Sequence, residues 1–419
     1  MSDLARRVAE LAAAAKAAAR PVALASAAVR EAALRGAARA IREDEAAILA
    51  ANAEDVAAAR AKGLAEAMLD RLRLDPARLA AVAGACEEVA ALPDPVGEAM
   101  ESWTRPNGLR ITRRRVPIGL VAIIFESRPN VTVDAAALCL KSGNACVLRG
   151  GSEAIRTNLA LARAFGRGLA GAGLPAAAAT LLPFTEREAV PALASLRGVV
   201  DIIVPRGGPG LIAAVTEAAK VPVIKHDAGI CHVYVHAAAD LDQALAITLN
   251  AKCQRPSACN AAETVLVDAA VAPAFLPRLA AALAERRTEL RACPRALPLA
   301  PGSRPATEAD FRTEHLGLVL NAKVVDGLDE AVAHIAAFGS AHSDAILTRD
   351  EPAARAFLAR VDSACVYWNA STRFTDGGEF GFGAEVGIST ERLHARGPMG
   401  IRELTTWKFE VVGDGQVRA

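Results

Sequence analysis

Val199-Val200-Asp201-Ile202-Ile203-Val204-Pro205-Arg206-Gly207-Gly208-Pro209-Gly210 is the stretch that decides the fold. Its apolar part, residues 199–204, has the length of a buried strand, and a glycine-rich turn then opens a helical pattern over residues 210–219. A strand that runs through glycines into a helix is the repeating unit of a parallel sheet covered by helices. The glycines let backbone N–H groups approach an anion at the helix N-terminus, where the helix dipole also favours negative charge. The spacing is not G-x-G-x-x-G. Gly207 and Gly208 therefore read equally as a phosphate cradle or as a structural turn.

The same rhythm extends on both sides. Strands are expected at 120–125, 145–148, 179–182 and 221–224, with helices at 131–141 and 153–172. A second mixed region, 232–403, carries strand patterns at 232–236, 264–267, 318–320 and 345–347. Residues 4–92 are alanine-rich, with charged residues opposite an apolar face, and predict several amphipathic helices. Asn107-Gly108 between two alternating segments marks a hairpin too polar to be buried on both faces. Arg113, Arg114 and Arg115 on it read as a solvated or subunit-contacting edge.

The chain of 419 residues suffices for two or three domains. Hydrophobic residues make up 53% and aromatic ones only 4%, so the cores must be built from Ala, Val, Leu and Ile. With 48 basic and 47 acidic side chains the net charge is +1, which speaks against a nucleic-acid partner. No apolar run reaches the roughly 20 residues of a membrane span. Met1-Ser2-Asp3 opens no signal peptide, so a cytoplasmic protein with no membrane partner is expected. None of the eight cysteines forms a C-x-x-C pair, which predicts reduced thiols and no metal site.

One of those thiols stands apart. In Gln254-Arg255-Pro256-Ser257-Ala258-Cys259-Asn260 it sits in a polar turn beside a guanidinium, just before an apolar run at 263–267. A cysteine beside a fixed positive charge ionises more readily than a core cysteine, and the thiolate is the nucleophile. Upstream, Arg149-Gly150-Gly151-Ser152 ends a strand pattern with a cation, open backbone and a hydroxyl. Dinucleotides bind at such a sheet edge in open α/β folds.

Taken together, Val116-Pro117-Ile118-Gly119, Gly143-Asn144 with its strand and basic residue, the glycine turn and Cys259 resemble the aldehyde dehydrogenase superfamily. Within it, four segments resemble the gamma-glutamyl phosphate reductases of proline biosynthesis. They are Phe125 to Thr132, Lys225 to Val235, Gln254 to Asn260, and Gly387 to Gly400 with its Leu393-His394-Ala395-Arg396-Gly397-Pro398-Met399. The resemblance runs almost the full chain.

It implies an α/β aldehyde dehydrogenase-like fold. A Rossmann-like cofactor domain would span 1–97 and 117–226, and a catalytic domain 227–403. A hairpin at 98–116, joined by the tail 404–419, would mediate homo-oligomerisation. The implied reaction is reduction of L-glutamyl 5-phosphate to glutamate 5-semialdehyde by NADPH through a thioester. A glutamate 5-kinase would then be a possible partner. Cys259 matches the nucleophile, and Asn130 the amide that joins the Cys259 N–H in stabilising an oxyanion. Glu314 matches the glutamate that holds the nicotinamide ribose. Arg149 stands in place of a cofactor-contacting lysine, and with Ser152 it suits a 2′-phosphate.

Hydrolytic relatives keep a water-activating glutamate where this chain reads His226-Asp227-Ala228-Gly229. Losing that base would protect an acyl-enzyme that must be reduced and not hydrolysed. His226 is expected to bind phosphate or substrate, or to cap a turn. Arg128, Arg255 and Lys141 are cationic candidates for the acyl phosphate or the α-carboxylate, or else solvated surface. An acylating dehydrogenase that hands the acyl group to coenzyme A is the rival enzyme, and a non-catalytic scaffold the rival of another class.

Overall fold

The computed structural model describes residues 2–225 and 228–418. His226, expected in the substrate site, lies outside the described residues. Two compact units form, one from Met1–Lys225, Gly381–Gly387 and Met399–Ala419, the other from His226–Phe380 and Ile388–Pro398.

The first unit begins with helices Asp3–Leu24, Ala27–Glu43, Glu45–Ala61, Glu66–Leu72 and Pro76–Ala91. The Ser2, Ser26 and Asp75 side chains accept backbone N–H bonds and cap three of them. Val8, Ala12, Ala15, Ala19 and Val22 form the buried stripe of the first helix, at the spacing that a helical face requires. Small side chains let backbones meet. A Cβ on Gly168 would lie 2.3 Å from the Ala37 nitrogen, and one on Gly36 would lie 3.2 Å from the Gly168 Cα. Helices Ala27–Glu43 and Ile155–Gly171 therefore cross through two glycines. Arg30 and Lys141 are buried in this layer. Arg30 pairs with Asp94 at 2.6 Å, and Lys141 with Glu31 at 2.9 Å and the Ala90 carbonyl at 2.8 Å. Lys141 is thus neither a substrate cation nor solvated surface.

The hairpin forms as β1 (Ala99–Thr104) and β2 (Arg110–Pro117). Strand Thr405–Val412 pairs antiparallel with the other side of β2. The three-arginine strand is thus the middle of a three-stranded sheet and not an edge. Its arginines are engaged within the sheet: Arg114 with Glu410 at 2.5 Å, Arg115 with Glu98 at 3.0 Å, and Arg113 over the Trp407 ring at 4.3 Å.

Strands β3 (Leu120–Phe125), β4 (Ala145–Arg149), β5 (Ala179–Leu181) and β6 (Ile202–Arg206) form a parallel sheet in the order β5-β4-β3-β6. All of β3 and β4 is buried, which explains their unbroken apolar runs. Residues 221–224, expected as a strand, make only an isolated bridge to Ile203. The bridge consists of the Ile203 N–H to the Pro222 carbonyl and the Ile224 N–H to the Ile203 carbonyl, and Pro222 has no N–H to extend it into a ladder.

The second unit holds a seven-stranded, all-parallel sheet of β7 (Cys231–Val235), β8 (Ala262–Asp268), β9 (Glu289–Ala292), β10 (Arg304–Pro305), β11 (Val319–Val325), β12 (Ser343–Leu347) and β13 (Cys365–Trp368). The spatial order is β10-β9-β11-β8-β7-β12-β13. Val233, Val235, Val265 and Val267 face one core with Phe275 and Leu279 of helix Ala272–Glu285. Tyr234 and Leu266, one residue out of phase, face the other with Ile335 and Phe357. Strands Gly387–Ser389 and Gly397–Met399 carry the chain between the units. Among the described residues no helix is long and apolar enough to cross a membrane. Among the same residues no group of three or more His, Cys, Asp or Glu side chains is arranged to hold a metal ion.

Candidate active site

Helix Leu241–Cys253 is capped by the Asp240 carboxylate and ends at Gln254. The chain then turns through residues 254–261 before entering β8. Ala258 and Ala261 N–H groups donate to the Arg255 and Ala258 carbonyls, winding the turn tightly. Cys259 is half-buried there, whereas Cys86, Cys139, Cys146, Cys231, Cys293 and Cys365 are buried. Cys253, the other half-buried thiol, lies 3.5 Å from the Thr288 hydroxyl.

Two segments fix the turn. The Asn260 amide donates to the Thr375 carbonyl at 2.8 Å, and the Thr372 hydroxyl donates to the Asn260 carbonyl at 2.7 Å. On another side Gly229 lies backbone to backbone against Cys259. A Cβ at Gly229 would be 1.9 Å from the Cys259 carbonyl oxygen, so only glycine fits. That carbonyl also accepts from the Cys231 thiol at 3.3 Å. Burial pushes the Cys231 thiol well above its ordinary pKa, so it remains a neutral donor.

Glu314 is joined to this arrangement. Its carboxylate accepts the Gly229 N–H; burial raises its pKa, while that bond and the Lys252 charge oppose the rise. The turn after it is strained, with Leu316 at φ 52°, and the Leu316 N–H donates to Glu263 at 3.3 Å. Glu263 is fully buried and paired with the equally buried Lys252 at 2.6 Å. Burial pushes the Glu263 carboxyl up to about 7 against the pull of Lys252. Cys259, Arg255 and Glu314, all chosen from sequence, are thus brought into one connected group in the second unit.

The remaining candidates lie in the first unit. The Arg149 guanidinium, at the end of β4, reaches the Thr185 and Glu186 carbonyls at 3.3 and 3.4 Å, and its buried Nε has no partner. Burial lowers its pKa, while Glu153 and Glu126 oppose that shift. Ser152, exposed, opens a short 3-10 turn directly after it. Gly208 differs from expectation: its N–H, at the start of helix Pro209–Ala218, donates to Glu126 at 3.0 Å. A Cβ on Gly207 would lie 2.4 Å from the same carboxylate. A resident carboxylate therefore already sits at the glycine turn. Glu153 accepts both the Ser127 N–H and its hydroxyl at 2.6 Å, and Ser127 is held at φ 43°.

Asn130 and Arg128 line a cavity of about 50 Å³ with Asp134, Arg206 and Glu385. The Asn130 amide donates to Asp134 at 2.8 Å, and burial lifts the Asp134 carboxyl to about 6. In the Gly387–Gly400 segment, Arg392 and Arg396 both clasp Asp362. Sequence reasoning missed Glu126, Glu263 and Arg373. Glu126 lies within the Phe125 to Thr132 segment and Glu263 opens the run 263–267, but only the fold reveals what each of the three touches.

Comparison with known proteins fits this arrangement. The aldehyde dehydrogenase family model matches residues 3–292. The gamma-glutamyl phosphate reductase of Moorella thermoacetica is 56% identical over 91% of each chain, and that of Thermobifida fusca 53% identical over 100% of both. The crystal structure of the Thermotoga maritima gamma-glutamyl phosphate reductase matches with a TM-score of 0.97 at 45% identity, covering 98% of this chain and 100% of that one. The chain belongs to the aldehyde dehydrogenase family, as an oxidoreductase, and within it to the gamma-glutamyl phosphate reductases.

Proposed function

We propose that the protein reduces L-glutamyl 5-phosphate to L-glutamate 5-semialdehyde and phosphate with NADPH, the second step of proline biosynthesis from glutamate. The single observation that carries this reading is the clamped turn of residues 254–261, with a half-buried thiol beside a guanidinium. The names and high identity of the relatives support the substrate assignment.

Cys259 acts as the thiolate and attacks the acyl carbon. The carbon–oxygen bond to phosphate breaks, phosphate departs and a thioester forms. The Cys259 N–H, with Asn130, stabilises the oxyanion in this step. The residues fit a nicotinamide dinucleotide. Arg149, with an unpartnered buried Nε and neutral carbonyl acceptors, suits a 2′-phosphate together with Ser152. Gly207 and Gly208 would meet the diphosphate only once the Glu126 carboxylate leaves the Gly208 N–H, and Glu314 would hold the ribose. When bound in reduced form, the cofactor supplies a hydride to the acyl carbon. Cys259 then leaves as thiolate when the carbon–sulfur bond breaks, and the aldehyde is released. Arg255 and Arg128 hold the anionic ends of the substrate.

Residues 1–97 and 117–226 form the cofactor domain in this reading, and residues 227–403 the catalytic domain. The three-stranded sheet from 98–116 and 404–419 is the contact between copies. Its exposed Trp407, Phe409 and Val411, on one side of strand Thr405–Val412, supply an apolar face for such a contact. A glutamate 5-kinase, making a short-lived acyl phosphate, is the supplier. The test is the reverse reaction: semialdehyde plus phosphate should reduce NADP, and phosphate should be obligatory. Cys259→Ala should abolish it with cofactor binding intact, and Cys253→Ala should retain it. Phosphate-independent turnover that needs coenzyme A would overturn the reading.

A further inference from the structure

Arg373 lies in the loop Ser371–Asp376 and reaches across to the turn that carries the nucleophile. Its Nε donates to the Gln254 side-chain carbonyl at 2.8 Å, and its Nη1 to the Asn260 side-chain carbonyl. It therefore grips the turn at both ends, one of them the residue next to Cys259. Its Nη2 has no hydrogen-bond acceptor among the described residues, and no carboxylate there forms an ion pair with it. Neutral amides fix the position of a guanidinium without cancelling its charge. Arg255, on the same turn, is exposed and adds a second positive charge. The two repel: burial, then the field of Arg255, lower the Arg373 pKa, while Cys259 and Asp376 oppose the shift. Two like charges held at one thiol form an arrangement that an anion relieves.

We propose that Arg373, together with Arg255, forms a subsite for an anionic oxygen group of the substrate, phosphoryl or carboxylate, beside Cys259. The proposal rests on the acyl phosphate reading above and adds the residue that decides which acyl compounds are accepted. Both groups offer anionic oxygens that the Nη2 of Arg373 and the guanidinium of Arg255 could meet with charge-assisted bonds. In the forward direction the subsite would receive charge as phosphate departs. In reverse it would hold phosphate for attack on the thioester.

The experiment is the reverse reaction with the full-length protein, varying phosphate and semialdehyde separately, for the parent and for Arg373→Gln. Loss of a charge-assisted contact should raise one KM by roughly 10- to 100-fold, with a much smaller change in kcat. A rise confined to the phosphate KM assigns the subsite to the phosphoryl group, and one confined to the semialdehyde KM assigns it to the carboxylate. Unchanged values for both, in a parent that does turn over with phosphate, would overturn the subsite while leaving the proposed reaction standing. A parent with no phosphate-dependent turnover would overturn both. Arg373→Lys keeps the charge but loses the two-ended grip. It should shift the same KM by a smaller factor, and it decides the matter if the glutamine variant does not fold. As a second readout, inorganic phosphate should slow alkylation of Cys259 in the parent more than in either variant. Equal protection in all three proteins would refute a phosphoryl assignment.

Discussion

Cations in the helical layer, and cations at the sheet ends and the cysteine turn, are held in opposite ways. Arg30 and Lys141 meet carboxylates, Asp94 and Glu31, in the alanine-rich layer. Arg149 and Arg373 meet neutral oxygens: two backbone carbonyls in one case, two side-chain amides in the other. A charge removed from water needs compensation, and a carboxylate supplies it permanently. Neutral acceptors supply orientation and leave the field in place for something else to meet. In the proposed reading the difference separates cations that hold the fold from cations that would take a ligand, although all four are arginine or lysine on or near helices and strands.

The largest effect expected from this contrast is on stability. Lys141→Met removes a fully buried ammonium with its bonds to Glu31 and the Ala90 carbonyl, while Glu31 keeps Arg35 at 3.5 Å, so unfolding free energy should fall by about 3 kcal/mol. Turnover of the folded protein should barely move. Denaturant melts beside initial rates check this, and a stable but inactive variant would break the contrast. Arg149→Gln should do the reverse. We expect the NADPH KM to rise by an amount equivalent to about 2 kcal/mol, the NADH KM to change far less, and the melt to stay close to the parent. Equal shifts for both cofactors would remove Arg149 from the 2′-phosphate.

The smallest effect concerns the mirror case, a half-buried carboxylate held by a neutral amide. Asp134 is bonded by Asn130, and its folded-state pKa of about 6 stands above the unfolded value. The folded state therefore binds this proton more tightly. The group contributes its full stability below the unfolded pKa and loses it as pH rises through about 6. From about pH 5 to about pH 7 the loss attributable to Asp134 should be about 1 kcal/mol. Asp134→Asn should flatten that part of the stability profile, and an unchanged slope would show that the carboxyl is already ionised there.

Much of this architecture could be read from the chain. The alternation of apolar runs and helical patterns from 116 to 235 predicts the parallel sheet, because β3 and β4 are buried on both faces and carry no polar phase. The polar turn before 263–267 marks the cysteine loop, because helix, turn and strand each have their own pattern. Other features leave no local trace. Strands Glu289–Ala292 and Arg304–Pro305 are short and half polar, so their pairing depends on neighbours distant in sequence. Pro222 defeats an apolar run that otherwise looks like a strand. Lys141 looks like any helix-end lysine until Glu31, 110 residues earlier, is placed against it. Arg373 gains meaning only from Asn260, 113 residues away. The carboxylate at the glycine turn is of the same kind, since Glu126 reaches Gly208 across 82 residues.

The crossing at Gly36 and Gly168 bears on how this chain can change over time. Two backbones already in contact have no room for a first side-chain atom, so a single added methyl would force the helices apart. Drift in this layer is therefore a one-way street. Alanines on either side can be exchanged for other small residues and be recovered later, whereas growth at the crossing must be answered at once by a shift of a whole helix. The monotony of alanine and glycine in the first part of the chain, easily taken for low information, is a steric record of how close its helices lie.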